Sequence, residues 1–297
     1  MINIGAHVSI AGGVHTAPQR AIDLKATALG LFTKNQRQWA AKPLRTEEID
    51  AFREGLDRSG IAPEHVVIHS SYLINIANPD REKRLKSLTA LLDECVRAEQ
   101  LGLSLVNFHP GSGMGEVSED EAIELIAEGC RAILGRTTSA ILVLESTAGQ
   151  GAHVGYRFSH LGRIISSAGY PDRLRICVDS CHVFAAGYDV RSPEGYARMM
   201  GELERDVGLD RLAAIHLNDS KSGLGSRTDR HDRIGAGRIG LEGLANFVRD
   251  PRLATLPFVI ETPDPDVWKE EIALLAALSA GAPVASAVLP TGERKEA

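Results

Sequence analysis

With 297 residues and 43% hydrophobic side chains the chain can bury a full core, and a closed α/β barrel of about 250 residues is a common single-domain answer at this length. No apolar run reaches the roughly 18 residues of a membrane span, no secretory leader precedes the first strand, and four cysteines make no disulfide framework; a cytoplasmic, reducing setting is expected. A formal charge of −6 taken alone argues against nucleic acid as a partner, yet three divalent ions would bring it to about zero and reverse the local field.

Short β-rich apolar runs alternate with amphipathic stretches along the chain. The predicted strands are residues 2–8, 28–33, 65–70, 103–109, 140–146, 174–180, 212–218 and 257–262. Predicted helices cover 46–58, 80–101, 118–134, 192–207 and 241–249. This alternation predicts a (β/α)8 TIM barrel, an α/β fold of one domain over residues 1–278. An open doubly wound sheet would carry a Gly-rich phosphate turn after its first strand, and Gly12-Gly13 lacks that spacing. Thr46 reads as a helix N-cap, and Ser118-Glu-Asp-Glu121 has capping-box spacing. Residues 219–240 form a long loop rich in Gly, Ser and charge, a length that marks function or disorder. Residues 279–297 read as a poorly ordered C-terminal tail.

Predicted strands three to eight all end in a metal-ligand residue type: His69, His109, Glu145, Asp179, His216 and Glu261. Residues two apart on a strand face the same way. Two before each of these stand Val67, Asn107, Val143, Cys177, Ala214 and Val259, mostly small or apolar, as barrel filling should be. Ile68, Phe108, Leu144, Val178, Leu217 and Ile260 are suited to face the helices. The six candidates are therefore expected to converge at the C-terminal mouth, where active sites of this fold lie. A lone strand-end His is more often a hydrogen-bonded core residue, and a lone Asp a loop cap; six in register outweigh that reading.

His182, just past strand six, and Asp229 and His231, in the long loop, complete a set of nine: five His, two Asp and two Glu. Imidazole and carboxylate without thiolate suit Zn2+, and Mn2+ or Fe2+ also take such donors. Nine ligands exceed what one ion takes, so a cluster of two or three ions with a bridging carboxylate is expected. Such clusters suit phosphate-ester hydrolysis. Asp179 and His182 are expected to serve different ions, with Cys177 and Cys181 only packing. His15, His65, His153 and His160 read as surface or packing residues. His7 shares the mouth, either behind the ligands or as a phosphate contact.

With these residues in place, the chain resembles the endonuclease IV family of apurinic/apyrimidinic DNA endonucleases. The matching segments run through the chain to about residue 275. They include Phe32-Thr-Lys-Asn-Gln-Arg-Gln-Trp39, His69-Ser-Ser-Tyr-Leu-Ile-Asn75, Asn107-Phe-His-Pro-Gly-Ser112, Glu145-Ser-Thr-Ala-Gly-Gln-Gly151, Val178-Asp-Ser-Cys-His182, His216-Leu-Asn-Asp-Ser-Lys221, Gly225-Ser-Arg-Thr-Asp-Arg-His231 and Glu261-Thr-Pro-Asp264. The resemblance implies three zinc ions per chain: one on His69, His109 and Glu145, a second on Glu145, Asp179, His216 and Glu261, and a third on His182, Asp229 and His231. It implies cleavage of double-stranded DNA 5′ to an abasic site, leaving a 3′-hydroxyl, and trimming of blocked 3′ ends in base excision repair. Glu145 and Glu261 would be the catalytic carboxylates, with a metal-linked hydroxide as nucleophile.

Arg37, Tyr72 and Leu73 stand where the family inserts side chains into the minor groove at a lesion. Lys34, Lys221, Arg227, Arg230 and Arg233 are candidate phosphate contacts. Two positions depart from the family pattern: Ser146 replaces the usual Asn, and Gly113-Met-Gly115 replaces a bulkier loop. Neither membrane nor obligate protein partner is implied. The competing readings are a sugar isomerase or epimerase of the related barrel group and a non-catalytic lesion-binding protein. The first needs fewer ligands than nine, and the second makes no use of a complete set.

Overall fold

The computed structural model describes residues 2–170 and 172–286. Its strands are β1 (Asn3–Val8), β2 (Leu29–Leu31), β3 (Val66–His69), β4 (Leu105–Phe108), β5 (Ile141–Glu145), β6 (Leu174–Asp179), β7 (Leu212–His216), a short antiparallel pair β8 (Asp219–Ser220) and β9 (His231–Asp232), and β10 (Pro257–Ile260). All but β8 and β9 are parallel and close into a barrel in the order β1-β10-β7-β6-β5-β4-β3-β2. The helices are α1 (Ala17–Asp23), α2 (Thr46–Ser59), α3 (Arg81–Leu101), α4 (Glu119–Leu134), α5 (Phe158–Ala168), α6 (Ser180–Ala186), α7 (Pro193–Asp206), α8 (Gly240–Val248) and α9 (Trp268–Ser279). The eight predicted strands and five predicted helices are all present.

The sequence reading passes over α1, α5, α6 and α9. Two of these are seven residues long, less than the window in which a helical period is visible. In α5, Phe158, Leu161, Ile164, Ile165 and Ala168 keep helical spacing, although Ser159, Gly162, Ser166 and Ser167 are weaker helix formers. The capping box of α4 is present: Ser118 Oγ accepts from Glu121 N at 3.2 Å, and Glu121 accepts from Ser118 N at 2.9 Å. At α2 the cap is Arg45 and Thr46 is the first helical residue, because Glu48 reaches back to Arg45 N at 3.2 Å.

The strands bury both faces. Val67, Leu105, Val143, Cys177, Ala214 and Val259 fill the barrel. Ile68, Phe108, Leu144, Val178, Leu217 and Ile260 belong to the larger core between barrel and helices, as their parity predicts. The loop of residues 219–240 is ordered. The buried Asp219 carboxylate accepts backbone N–H groups from Ser220 at 2.8 Å, Gly237 at 3.1 Å, Ile239 at 2.9 Å and Gly240 at 3.2 and 3.3 Å. These bonds fold the loop back beside the barrel mouth. Of the tail expected to be poorly ordered, residues 287–297 lie outside the described residues. The nearer part docks: Arg249 Nη2 donates to Ala282 O at 2.7 Å, and Val284 packs on the core. Among the described residues, no helix is long and apolar enough to cross a membrane.

Gly5 sets how closely β1 approaches the chain entering β2. A Cβ there would lie 1.8 Å from the Ala28 carbonyl oxygen, which is backbone and cannot step aside. Gly5→Ala is therefore expected to destabilise by about 3 kcal/mol, at the upper end of overpacking costs. Gly201 lies in α7, and a Cβ there meets nothing within 4 Å. Gly201→Ala is expected to stabilise by about 0.5–1 kcal/mol. Chemical denaturation of the two variants beside the parent checks both signs.

Candidate metal centre

β3, β5, β6 and β7 end at one mouth in His69, Glu145, Asp179 and His216. Asp179 pairs in register with His216 across β6 and β7, and His216 pairs with Val259 of β10, two residues before Glu261. Glu145 ends β5 fully buried, with His109 and Glu261 each one residue past a strand. Asp179 does two jobs. Its Oδ1 accepts His182 N at 2.9 Å as the N-cap of α6, and its Oδ2 lies 3.6 Å from His231 Nε2. The capped turn is what presents His182 to the mouth.

Glu145 sits at the centre. Its Oε2 is 3.2 Å from His69 Nε2 and 3.4 Å from His109 Nε2. Its Oε1 is 3.1 Å from His216 Nδ1 and 3.3 Å from His182 Nδ1. The two oxygens of one carboxylate thus face different imidazole pairs. Glu145, Asp179, His216 and Glu261 form one group of mutually close donor atoms, and His182, Asp229 and His231 form another. Those are two of the three expected ligand sets. His69 and His109 both flank Glu145 Oε2, but each also groups with a further residue, His216 and His182 respectively.

The donors fit bound cations. The Nδ1 atoms of His69, His182 and His231 lie 2.7 Å, 2.9 Å and 3.2 Å from the carbonyl oxygens of Ser70, Ser146 and Glu261. Donation of Nδ1–H to those carbonyls leaves each Nε2 with a lone pair. These Nε2 atoms and Glu261 Oε1 are buried without hydrogen-bond partners. His182 Nε2 is 3.1 Å from Asp229 Oδ2, and His231 Nε2 is 3.4 Å from Asp229 Oδ1. The edge of a zinc coordination tetrahedron is roughly 3.3 Å, given bonds of 2.0–2.1 Å. Atoms at that separation without hydrogen-bond geometry suit ligands of a shared ion.

The charge balance agrees. Burial alone would push Glu145 up, but His216 and His109 hold it well below the usual carboxylate range. Burial likewise opposes Glu261, and His216 and His69 keep it at about 2. Burial would depress His182, yet Asp179 and Asp229 raise it well above the ordinary imidazole value. Protons and cations therefore compete for one site. Burial pushes the Cys177 and Cys181 thiols up to about 11 and about 12; Cys181 Sγ also lies close to the donor atoms of Asp179 and His231.

Residues 18–278 match the family described as xylose isomerase-like TIM barrel. The chain is 47% identical over 272 residues to "Probable endonuclease 4" of Campylobacter concisus (strain 13826), covering 92% of this chain and 96% of that one. It is 49% identical to the protein of the same name from Chlorobium phaeobacteroides (strain BS1), with the same coverage. The crystal structure of endonuclease IV from Thermus thermophilus superposes with a TM-score of 0.83 at 38% identity, over 94% of this chain and 100% of that one. The chain belongs to the endonuclease IV family. A D-tagatose 3-epimerase-like protein, TM-score 0.69 at 16% identity over 93% of this chain and 97% of that one, shares the fold alone.

Around the mouth of this endonuclease IV family chain, Arg37, Tyr72, His7 and Glu261 line one open cavity of about 800 Å³. Tyr72 is 57% and Leu73 38% exposed, high for side chains of their size. His153, expected only to pack, lines a smaller cavity of about 120 Å³ with His69, His109 and Tyr72. Burial pushes His7 down to about 4, and its Nε2 is buried without a hydrogen-bond partner. Lys34 is not a free phosphate contact: its ammonium is buried 2.6 Å from Asp93 and 3.4 Å from Glu94. Lys221, Arg227 and Arg230 are exposed within the loop of residues 219–240. Arg227 lies over the Tyr156 ring at 4.7 Å, and Arg233 pairs with Asp264 at 3.8 Å.

Two asparagines escaped the sequence reading. Asn107 donates its amide to Glu145 Oε2. Asn218 donates to Asp179 Oδ2 at 2.7 Å and accepts from Glu261 N at 2.7 Å, tying three strand ends together. Each stands two residues from a strand-end His, so strand parity was the available signal. Ser146, in the family's Asn position, accepts from Asp179 N at 3.0 Å and leaves Glu145 untouched.

Glu271 of α9 holds the loop of residues 219–240 to the chain just past β10. It accepts from Ile234 N at 2.8 Å and from Thr262 Oγ1 at 2.5 Å. Burial pushes its carboxyl up to about 7 from an ordinary 4.5. Between these values the folded state keeps a proton that the unfolded state has lost. Its contribution therefore favours folding below about pH 4.5 and is lost as pH rises through about 7, by up to about 3 kcal/mol. Relative to Glu271→Gln, the parent is expected to lose stability between pH 5 and pH 8 in paired urea titrations. A difference independent of pH would contradict this.

Proposed function

We propose that the chain is a metal-dependent hydrolase that cleaves double-stranded DNA 5′ to abasic sites, leaving a 3′-hydroxyl, and that also trims blocked 3′ ends. The observation that carries this reading is Glu145, whose two oxygens face separate imidazole pairs at the centre of nine convergent donors. A single-ion enzyme has no use for that arrangement. The relatives named endonuclease 4 supply the substrate class.

Three zinc ions are assigned, with Mn2+ or Fe2+ as substitutes. His69, His109 and Glu145 would hold the first; Glu145, Asp179, His216 and Glu261 the second; His182, Asp229 and His231 the third. When bound, the ions supply a nucleophile from water near neutral pH and neutralise charge on the phosphate and the leaving oxygen. The chain's own residues do the rest. Ser70, Ser146 and Glu261 carbonyls fix the imidazoles, and Asn107 and Asn218 orient the carboxylates, so little rearrangement accompanies the reaction.

Arg37 and Tyr72, on the wall of the cavity that reaches Glu261, meet the DNA at the lesion, with Leu73 beside them. Exposed rings and aliphatic side chains at such a mouth are suited to wedge between base steps, where an abasic position costs least to unstack. Lys221, Arg227 and Arg230 are placed to contact phosphates. Base excision repair in the cytoplasm is the setting this chemistry fits. An isomerase reading leaves the Asp229/His231 group and the exposed Tyr72-Leu73 pair without a role.

Glu261→Gln removes one ligand charge and leaves the cavity wall in place. Nicking of a duplex with a single abasic site is expected to fall about 100-fold or more. Affinity for the same duplex should stay within about threefold, since the wall residues carry it. Unchanged cleavage would overturn the assignment of Glu261, and conversion of a ketose sugar without any nicking would overturn the function.

A further inference from the structure

Arg37 sits on a loop that leaves β2 at Phe32 and joins α2 at Arg45. α3 ties this loop down along a single face. Lys86, Ala90, Asp93 and Arg97 follow one another at helical spacing of four, three and four residues. Lys86 Nζ lies over the Trp39 ring at 4.3 Å. The Ala90 carbonyl accepts from Lys34 Nζ at 3.3 Å. One oxygen of Asp93 takes both Lys34 Nζ at 2.6 Å and Arg97 Nε at 3.0 Å. Arg97 Nη2 then reaches the carbonyls of Ala41 at 3.3 Å and Lys42 at 2.6 Å. Glu94, also buried, accepts from Thr33 Oγ1 and pairs with Lys34.

One end of the loop is thus fastened to Asp93 directly through Lys34, and the other through Arg97, which the same carboxylate holds. The middle of the loop is fastened to the neighbouring loop: Ser71 Oγ donates to Gln36 O at 2.6 Å and accepts from Leu73 N at 3.2 Å. Arg37 and the Tyr72-Leu73 pair are therefore held in one frame. Lys34, Arg97, Asp93 and Glu94 balance to zero charge within it. A buried ionic cluster of this kind is a weak source of stability, and its best-attested use is to specify one conformation.

We propose that the Asp93 cluster is a positioning device for the Arg37 loop, setting how tightly damaged DNA is held and leaving the bond-breaking step alone. This rests on the DNA-cleaving reading above. Lys34 is then a positioning residue, its charge committed to the cluster and unavailable to phosphate. Asp93 is the residue to change, since its side chain is 40% exposed and its loss leaves the core intact.

In the metal-loaded full chain, Asp93→Asn is expected to raise KM for a duplex with one abasic site about tenfold, with kcat within about twofold. Trypsin should cut the loop after Arg37 faster, Lys42 being protected by the Pro43 that follows it. In an Arg37→Ala background the same substitution should add little more to KM, because both act through one contact. Arg97→Lys keeps a charge on Asp93 but loses the Nη2 bonds to the Ala41 and Lys42 carbonyls, and should reproduce the KM rise with kcat unchanged.

KM unchanged in Asp93→Asn while Arg37→Ala raises it would overturn the positioning role and leave the DNA reading standing. A fall in kcat at unchanged KM, or KM effects that multiply in the double variant, would also overturn it. Failure of the unsubstituted chain to nick the abasic duplex would overturn the DNA reading itself.

Discussion

Four carboxylates are forced together at the mouth of the barrel, and most of the surrounding structure follows from that. Glu145, Asp179, Asp229 and Glu261 arrive from different elements, and the ion pairs they make are with imidazoles rather than ammonium or guanidinium groups. Buried negative charge of this density needs compensation. The rise of His182 and His216 well above the ordinary imidazole value shows the demand: protons are drawn onto rings whose burial opposes them. Cations meet the same demand more fully and release those protons.

The fold meets the constraint by fixing the ligands before anything binds. Backbone carbonyls hold three imidazoles by Nδ1, Asn107 and Asn218 hold three strand ends, and Asp179 caps the helix that carries His182. Asp219 does the equivalent for the loop that brings in Asp229 and His231, with backbone N–H groups gathered on one buried carboxylate. Gly237 is required there, because a Cβ would come within 2.4 Å of Asp219 Oδ1. Around the Arg37 loop the same logic recurs in Asp93, which takes Lys34 directly and reaches the Ala41 and Lys42 carbonyls through Arg97.

Much of this is legible in the sequence, for a definite reason. A barrel strand shows its direction by parity, so His69, Asp179 and His216 could be aligned by counting, and the inner residues Val67, Val143, Cys177 and Val259 came out on the expected side. Residues whose role depends on tertiary partners were not legible. Lys34 looks like a free cation until α3 is packed beside it. Asn218 looks like the last residue of a strand and nothing more until Asp179 and Glu261 are known to flank it. Thr46 has the better capping side chain, yet Glu48 reaching back to Arg45 moved the helix start by one. The short helix α6 was invisible because its nucleus is an N-cap that also faces the metal loop.

The central claim is that one buried carboxylate bridges a cluster of several ions. Elemental analysis of the folded protein, purified without chelator and quantified per chain, tests it most directly. Three zinc equivalents per chain are predicted, falling to two in Asp229→Ala with the other two retained. A single equivalent per chain, unchanged by Asp229→Ala, would contradict the account.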